Sequence, residues 1–297
     1  MFYSSENNLT SQQQGGKAFS LMIAIYVLLA FVVQAILLSF TTQESFVYIA
    51  VCSCLSSLAI LVAVISQTKL KRCTYKALNI NKFNLKAVLP AVLLGTGMFL
   101  GLGFVNIALI QGLNNLGINV SSPNVVLNNV WQLLFFTTTL ALLPAVFEEL
   151  FFRGLFLTSL KGQSVISKTL MVGLFFALYH MNLGQFVYQF IYGSALCLLT
   201  IYAKSILPAI ITHFLNNFSV IIFTYLKIQI DLFSPLLIVF GLVCFSLFLI
   251  FVILGLRKDK NINLNKSAKL GVKEVFFPYG ILGVLVCTIA LIGAILV

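Results

Sequence analysis

Charge is what this sequence has least of. Asp and Glu together number 7 in 297 residues, Lys and Arg 18, and only 8% of the chain is charged against 60% hydrophobic. Soluble domains carry about 25% charged residues, and so few acids cannot solvate a globular surface of this size. A soluble enzyme and a disordered chain are excluded. Cysteine is too sparse for a disulfide scaffold: Cys52, Cys54, Cys73, Cys197, Cys244 and Cys287 are scattered, mostly inside apolar runs, where they read as small apolar side chains. Cys52 and Cys54 have no His or second Cys pair nearby, which argues against a zinc or redox site there. Histidine occurs only twice and tryptophan once.

What is abundant is apolar sequence in runs long enough to cross a bilayer, which takes about 20 residues. Such runs cover Ala18–Phe40, Phe46–Ser66, Ala87–Ile110, Val130–Leu157, Phe186–Tyr202, Pro208–Tyr225, Leu232–Leu256 and Phe276–Val297. A further run, Thr169–His180, is too short to cross alone. The first run is longer than a signal-peptide core and lacks a small-residue cleavage pattern, so it is expected to stay attached. Gly97 and Gly101, four apart, read as a close-packing face for another helix. Pro208 opens its helix near the first turn, where a missing N–H costs least. The fold class is therefore all-α, a polytopic transmembrane helical bundle of about eight or nine helices, one short or half-spanning. It divides into a cytoplasmic polar tail (1–17), N-terminal transmembrane helices (18–129), a helical core (130–226) and C-terminal transmembrane helices (227–297).

The net charge of +11 does not mark a nucleic-acid partner, because the cations sit in short loops between the runs. Lys69, Lys71, Arg72, Lys76, Lys82 and Lys86 fill one loop without an acid. Arg257, Lys258, Lys260, Lys266, Lys269 and Lys273 fill another. With the N-terminus inside, every Lys and Arg but Lys227 falls on or near the cytoplasmic side, as the positive-inside rule requires. The expected location is the cell membrane, multi-pass, with the N-terminus and basic loops cytoplasmic and the lipid bilayer as surroundings.

Against that background five ionisable residues stand inside or beside apolar helices: Glu148, Glu149, Arg153, His180 and His213. Intramembrane charge costs at least about 2.5–3.5 kcal/mol, so such residues usually face a cavity and work there. Glu149 and Arg153 are four apart on one helix face and can pair. Phe176 with His180, and His213 with Asn217, repeat that spacing on two later helices. At about 1.5 Å rise per residue, Glu148, His180 and His213 all lie roughly 10–18 Å deep. A carboxylate in such a cavity suits a general base that deprotonates water. Imidazoles suit positioning that water, holding an oxyanion or protonating a leaving amine, and the Asn217 amide is a neutral oxyanion donor. Asp231 and Asp259, the only aspartates, lie at helix ends, so no Ser–His–Asp set exists.

Other readings of these residues stay open at this level. Glu149 with Arg153 can be a structural ion pair, and either histidine alone can be interhelical glue. Zinc held by Glu148, His180 and His213 competes, because two His and one Glu form a hydrolytic ligand set, though the His-Glu-x-x-His helix signature is absent. A proton-coupled transporter would use the same residue types, but no internal repeat accompanies them.

Glu148-Glu149-Leu150-Phe151-Phe152-Arg153-Gly154, then Phe176-Ala177-Leu178-Tyr179-His180, then His213-Phe214-Leu215-Asn216-Asn217 resemble, in order, the three signature motifs of the CAAX protease and bacteriocin-processing family. This family is also called the Abi or type II CAAX prenyl endopeptidase family. The resemblance covers about residues 130–226. It implies an intramembrane glutamate endopeptidase with a cavity open to the cytoplasm and no metal cofactor. Glu148 would be the water-activating glutamate, supported by Glu149 and Arg153. His180 would share the water or orient the base, and His213 and Asn217 would stabilise the oxyanion. The implied partner is a membrane-associated or lipophilic peptide or protein substrate. A non-proteolytic immunity or scaffold role occurs in the same family and is the alternative.

Overall fold

A computed structural model describes residues 10–43, 45–69, 78–83, 85–120, 127–259, 262 and 273–296. Seven helices are long and apolar enough to cross a membrane, and two shorter apolar helices accompany them among the described residues. In chain order they are α1 (Ser11–Leu38), α2 (Phe46–Lys69), α3 (Leu85–Asn115), α4 (Val130–Ser159), α5 (Val165–Tyr179), α6 (Phe186–Ala203), α7 (Leu207–Tyr225), α8 (Pro235–Lys258) and α9 (Gly280–Leu296). The protein is thus an all-α polytopic bundle. Large apolar side chains such as Phe31, Leu28 and Ile289 stay exposed on its flanks, which water would penalise and lipid would not.

The helix limits depart from the apolar runs at three places, each for a local reason. The first helix starts at Ser11 rather than Ala18, because Thr10 and Gln13 form a capping box. The Gln12 side-chain amide also donates to the Lys161 carbonyl at 3.0 Å. Part of the expected polar tail is therefore buried helix, and residues 1–9 lie outside the described set. The last run breaks at Pro278, which has no N–H to give to a helix. Lys273–Phe276 forms its own turn and α9 begins at Gly280. Two helices rather than one fall short of spanning length, α5 and α9. The Gly97 and Gly101 face meets α8: a Cβ on Gly101 would lie 2.4 Å from the Gly241 carbonyl carbon, and one on Gly97 2.7 Å from the Phe245 nitrogen.

Polar contacts gather the basic loops at one end. The Asn81 amide donates to the Lys204 carbonyl at 2.6 Å, linking the α2–α3 loop to the α6–α7 turn. Lys204 pairs with Asp259 at 2.5 Å beyond α8. The Gln12 bond ties the start of α1 to the α4–α5 turn, and Thr10 donates to Glu274 at 2.9 Å. Lys71, Arg72, Lys76, Lys260, Lys266 and Lys269 lie outside the described residues. Lys227 sits in the turn after α7, at the far end of that helix from Lys204.

The core that encloses the middle of α4 is aromatic. Phe19 of α1 packs on Phe175 with ring centres 4.7 Å apart, Phe156 on Phe175 at 4.7 Å, and Phe152 on Phe176 at 5.2 Å. Such aromatic contacts, two edge-to-face and the Phe156–Phe175 pair tilted, add about 0.5–1.5 kcal/mol beyond area burial. Here they also set the α4–α5 spacing that the polar residues rely on.

Candidate active site

Helix α4 is not regular. Its turns widen to π-helix at Thr137–Leu142 and again at Leu150–Phe156, leaving Leu143–Glu149 as an α-helical segment between them. Wide turns of this kind disturb the i→i−4 ladder and recur at functional sites. Two carbonyls of the widened turns take side-chain donors from elsewhere. The Asn217 amide donates to Leu140 O at 3.3 Å and the Asn79 amide to Arg153 O at 2.9 Å. At membrane depth no water is present to do so.

Arg153, within the second wide turn, is fully buried. Its Nη1 donates to Glu149 Oε1 at 2.8 Å and its Nη2 to the Gly193 carbonyl at 2.9 Å. The guanidinium carbon lies 4.5 Å from the centre of the Phe176 ring, a cation–π contact. Gly193 has to be glycine here, since a Cβ would come within 2.9 Å of Phe176.

Glu149 Oε1 accepts a second bond, from His213 Nδ1 at 2.8 Å. A carboxylate oxygen already holding Arg153 can only accept, so the Nδ1 carries the hydrogen. The other ring nitrogen, Nε2, then faces Glu148, 3.9 Å from its Oε2. Tyr192 fixes this imidazole from α6: its ring stands edge-on 5.7 Å away, and its hydroxyl donates to the Thr212 carbonyl at 3.2 Å.

His180 caps the end of α5. Its Nδ1 lies 2.8 Å from the Phe176 carbonyl, which only accepts, so Nδ1 is the donor and Nε2 presents a lone pair. The Phe176 ring sits between the histidines, 4.7 Å from His180 and 6.0 Å from His213.

The six residues singled out in the sequence are therefore placed as follows. Glu148, Glu149, Arg153 and His213 meet directly, His180 joins them across the Phe176 ring, and Asn217 lies one turn along α7 with its amide on Leu140. Sequence reasoning missed Tyr192, Gly193 and Asn79, which α6 and the α2–α3 loop bring in from elsewhere in the chain. Among the described residues, no group of three or more His, Cys, Asp or Glu is arranged to hold a metal ion.

A cavity of about 440 Å³ lies between α3 and α7. It is lined by apolar residues from Phe83 and Val88 through Val92, Ile211 and Leu215 to Phe223, with Thr212 and Asn216 among them. Neither Glu148, which is only 5% exposed, nor His213 lines it.

Residues 130–219 match the family model Rce1-like, described as type II CAAX prenyl endopeptidase Rce1-like. No curated protein and no solved structure matches the chain. The matched segment runs from the start of α4 into α7 and holds all six candidate residues, so the similarity to a protease family lies within the helices of a multi-pass membrane protein.

The geometry makes Arg153 the anchor of the cluster. Arg153→Met is expected to leave Glu149 buried without its cation and to cost about 3–5 kcal/mol, read as a lowered melting temperature of the purified protein in detergent. Arg153→Lys, which keeps the charge but not the fork, should recover part of the loss. An unchanged melting temperature for Arg153→Met would refute the assignment.

Proposed function

From this similarity to a protease family, we propose that the protein is an intramembrane glutamate endopeptidase acting on a membrane-associated or lipophilic peptide. The observation that carries the reading is the unequal pairing of the two adjacent glutamates. Glu149 Oε1 is held by both Arg153 and His213, and no described group donates to the Oε2 of either glutamate, but only that of Glu148 lies opposite His213 Nε2, at 3.9 Å.

In this mechanism Glu148 removes a proton from water, and the resulting hydroxide adds to the scissile carbonyl. His180 Nε2 accepts a hydrogen bond from the same water and orients it. The Asn217 amide and His213, aligned by Glu149 and donating from Nε2 when that nitrogen also carries a proton, stabilise the oxyanion of the tetrahedral intermediate. Glu148 then returns the proton to the amide nitrogen as the C–N bond breaks, releasing an amine and a carboxylic acid. No metal cofactor takes part in this scheme.

The same reading places the basic-loop end in the cytoplasm and the protein in the cell membrane. A Cys at Lys227 should react with a membrane-impermeant maleimide added outside intact cells, and a Cys at Lys258 only after permeabilisation. The reverse labelling would overturn the orientation.

Catalysis is tested by Glu148→Gln, which keeps shape and removes the base. Cleavage of a fluorogenic peptide ending in farnesyl-cysteine and three aliphatic residues is expected to fall by at least about 10²–10⁴-fold. Membrane peptide profiles of the two strains should differ by the natural substrate and its fragments. Full activity in folded Glu148→Gln protein would sink the reading.

We further assign the lipophilic part of the substrate to the α3–α7 cavity, which shares α7 with His213. A Cβ at Gly95 meets only Thr212 Cγ2 at an ordinary 3.7 Å, so Gly95→Leu fits and fills the space. It should raise KM for the farnesylated probe about tenfold, the loss expected for one or two methylene-sized contacts, and spare an unlipidated peptide. Equal effects on both peptides would refute the cavity's role.

A further inference from the structure

The strongest unassigned feature is the short segment 78–81 of the α2–α3 loop, which reaches into the bundle. Leu78 is buried, and its backbone lies against Gly154 of the second widened turn, where a Cβ would come within 3.0 Å of the Leu78 carbonyl oxygen. Asn79 has a left-handed backbone, φ 55°, a conformation that Asn and Gly adopt more readily than other residues. From there it bonds two helices at once. Its amide donates to the Arg153 carbonyl at 2.9 Å and, more weakly, to the Thr158 hydroxyl at 3.4 Å, both on α4. Its own carbonyl accepts from the Ile206 N–H at the start of α7, at 3.1 Å. Asn81 adds to the second link: the buried Ser205 hydroxyl donates to its carbonyl at 3.0 Å and accepts from the Leu207 N–H of α7 at 3.3 Å.

We infer that Asn79 is a positioning residue, a strut that sets the register of α4 against α7 and thereby aligns His213 with Glu149. The two helices it ties carry the two halves of that bond. Glu149 lies four residues before Arg153 on α4, and His213 lies seven residues after Ile206, about two turns into α7. At the other side of the pair, the Asn217 amide joins α7 to Leu140 of α4 at 3.3 Å. Glu149 and His213 therefore lie between two asparagine ties, one supplied by α7 itself and one brought in by the loop. The bond between them is 2.8 Å long, and a slip of one helix by about 1 Å would take it beyond hydrogen-bond range. A site held to within about 0.5 Å needs such support from outside its own side chains. Asn79 lies outside residues 130–219, so the segment that resembles the protease family does not contain this part of its own alignment.

The catalytic consequence rests on the proposed role of His213 at the oxyanion; the alignment does not, and the two are read separately. Asn79→Gly keeps the left-handed turn and the carbonyl that holds Ile206, and removes only the amide. Asn79→Asp keeps the size but offers the Arg153 carbonyl an acceptor in place of a donor. The full-length protein, purified in detergent with isotope-labelled histidine, gives NMR signals from only two imidazoles, which His213→Gln tells apart. In both Asn79 variants the Nδ1–H resonance of His213 should move upfield as its bond to Glu149 lengthens. That of His180, whose Nδ1 bonds the Phe176 carbonyl one turn back on α5, should stay in place. An unmoved His213 resonance, or equal movement of both, would overturn the strut. With the farnesylated peptide, kcat should fall roughly 3- to 10-fold, the kinetic equivalent of one neutral hydrogen bond, with KM within about twofold. An unchanged kcat, or a raised KM alone, would overturn the positioning role in catalysis. An active Glu148→Gln enzyme would remove the proposed mechanism, and a moved His213 resonance would support the strut even then.

Discussion

The ion pair between Arg153 and Glu149 is the constraint on which the rest of the bundle depends. Both groups are fully buried in a helix long and apolar enough to span lipid. A buried charge pair offsets its desolvation only when its remaining donors and acceptors are also satisfied. Here three neighbouring helices meet part of that requirement, while Arg153 Nε and Glu149 Oε2 have no hydrogen-bond partner among the described residues. The second arm of the guanidinium fork takes the Gly193 carbonyl of α6, its flat face takes the Phe176 ring of α5, and the shared Glu149 oxygen takes His213 of α7. One arginine on α4 thus fixes the relative positions of α5, α6 and α7. It does so through directional contacts, in a medium where apolar contact alone discriminates poorly between helix registers.

The irregularity of α4 follows from the same demand. A regular α-helix would carry its carbonyls down in an unbroken ladder. The two widened turns flank the Glu148–Glu149 segment, and Leu140 and Arg153 there take amide donors from Asn217 and Asn79. Those bonds add a link to α7 from one turn and to the α2–α3 loop from the other. Backbone groups that would be a liability in lipid become attachment points. Asn217 thereby ties α7 to the first widened turn through one amide hydrogen.

Much of this was legible in the sequence because the medium makes polar residues conspicuous. With 7 acids in the chain, the adjacent pair Glu148 and Glu149 and the two histidines stand out against apolar surroundings, and helical spacing alone pairs Glu149 with Arg153. The helix count was readable for the same reason. Residues chosen for fit rather than charge were not. Gly193 looks like any glycine in an apolar run until Phe176 is placed 2.9 Å from where its Cβ would be. Asn79 reads as a loop residue, and the burial of Gln12 beside Lys161 makes helix out of what composition reads as a polar tail. The widened turns of α4 leave no compositional trace, because they arise from tertiary donors in distant segments.

Two carboxylates side by side would be redundant if their surroundings were alike, and they are not. Successive residues on a helix point about 100° apart, so the two side chains meet different surroundings. Glu149 Oε1 accepts from both Arg153 and His213. Glu148 Oε2 has no donor among the described residues and stands 3.9 Å from His213 Nε2. A single dipeptide thereby presents one doubly held oxygen and one oxygen left open, by nothing more than helical geometry and the identity of the facing helices. The aromatic shell of Phe19, Phe152, Phe156, Phe175 and Phe176 makes the split matter. With bulk water kept away, neither charge is screened, and the orientation of each carboxylate decides what it can bind.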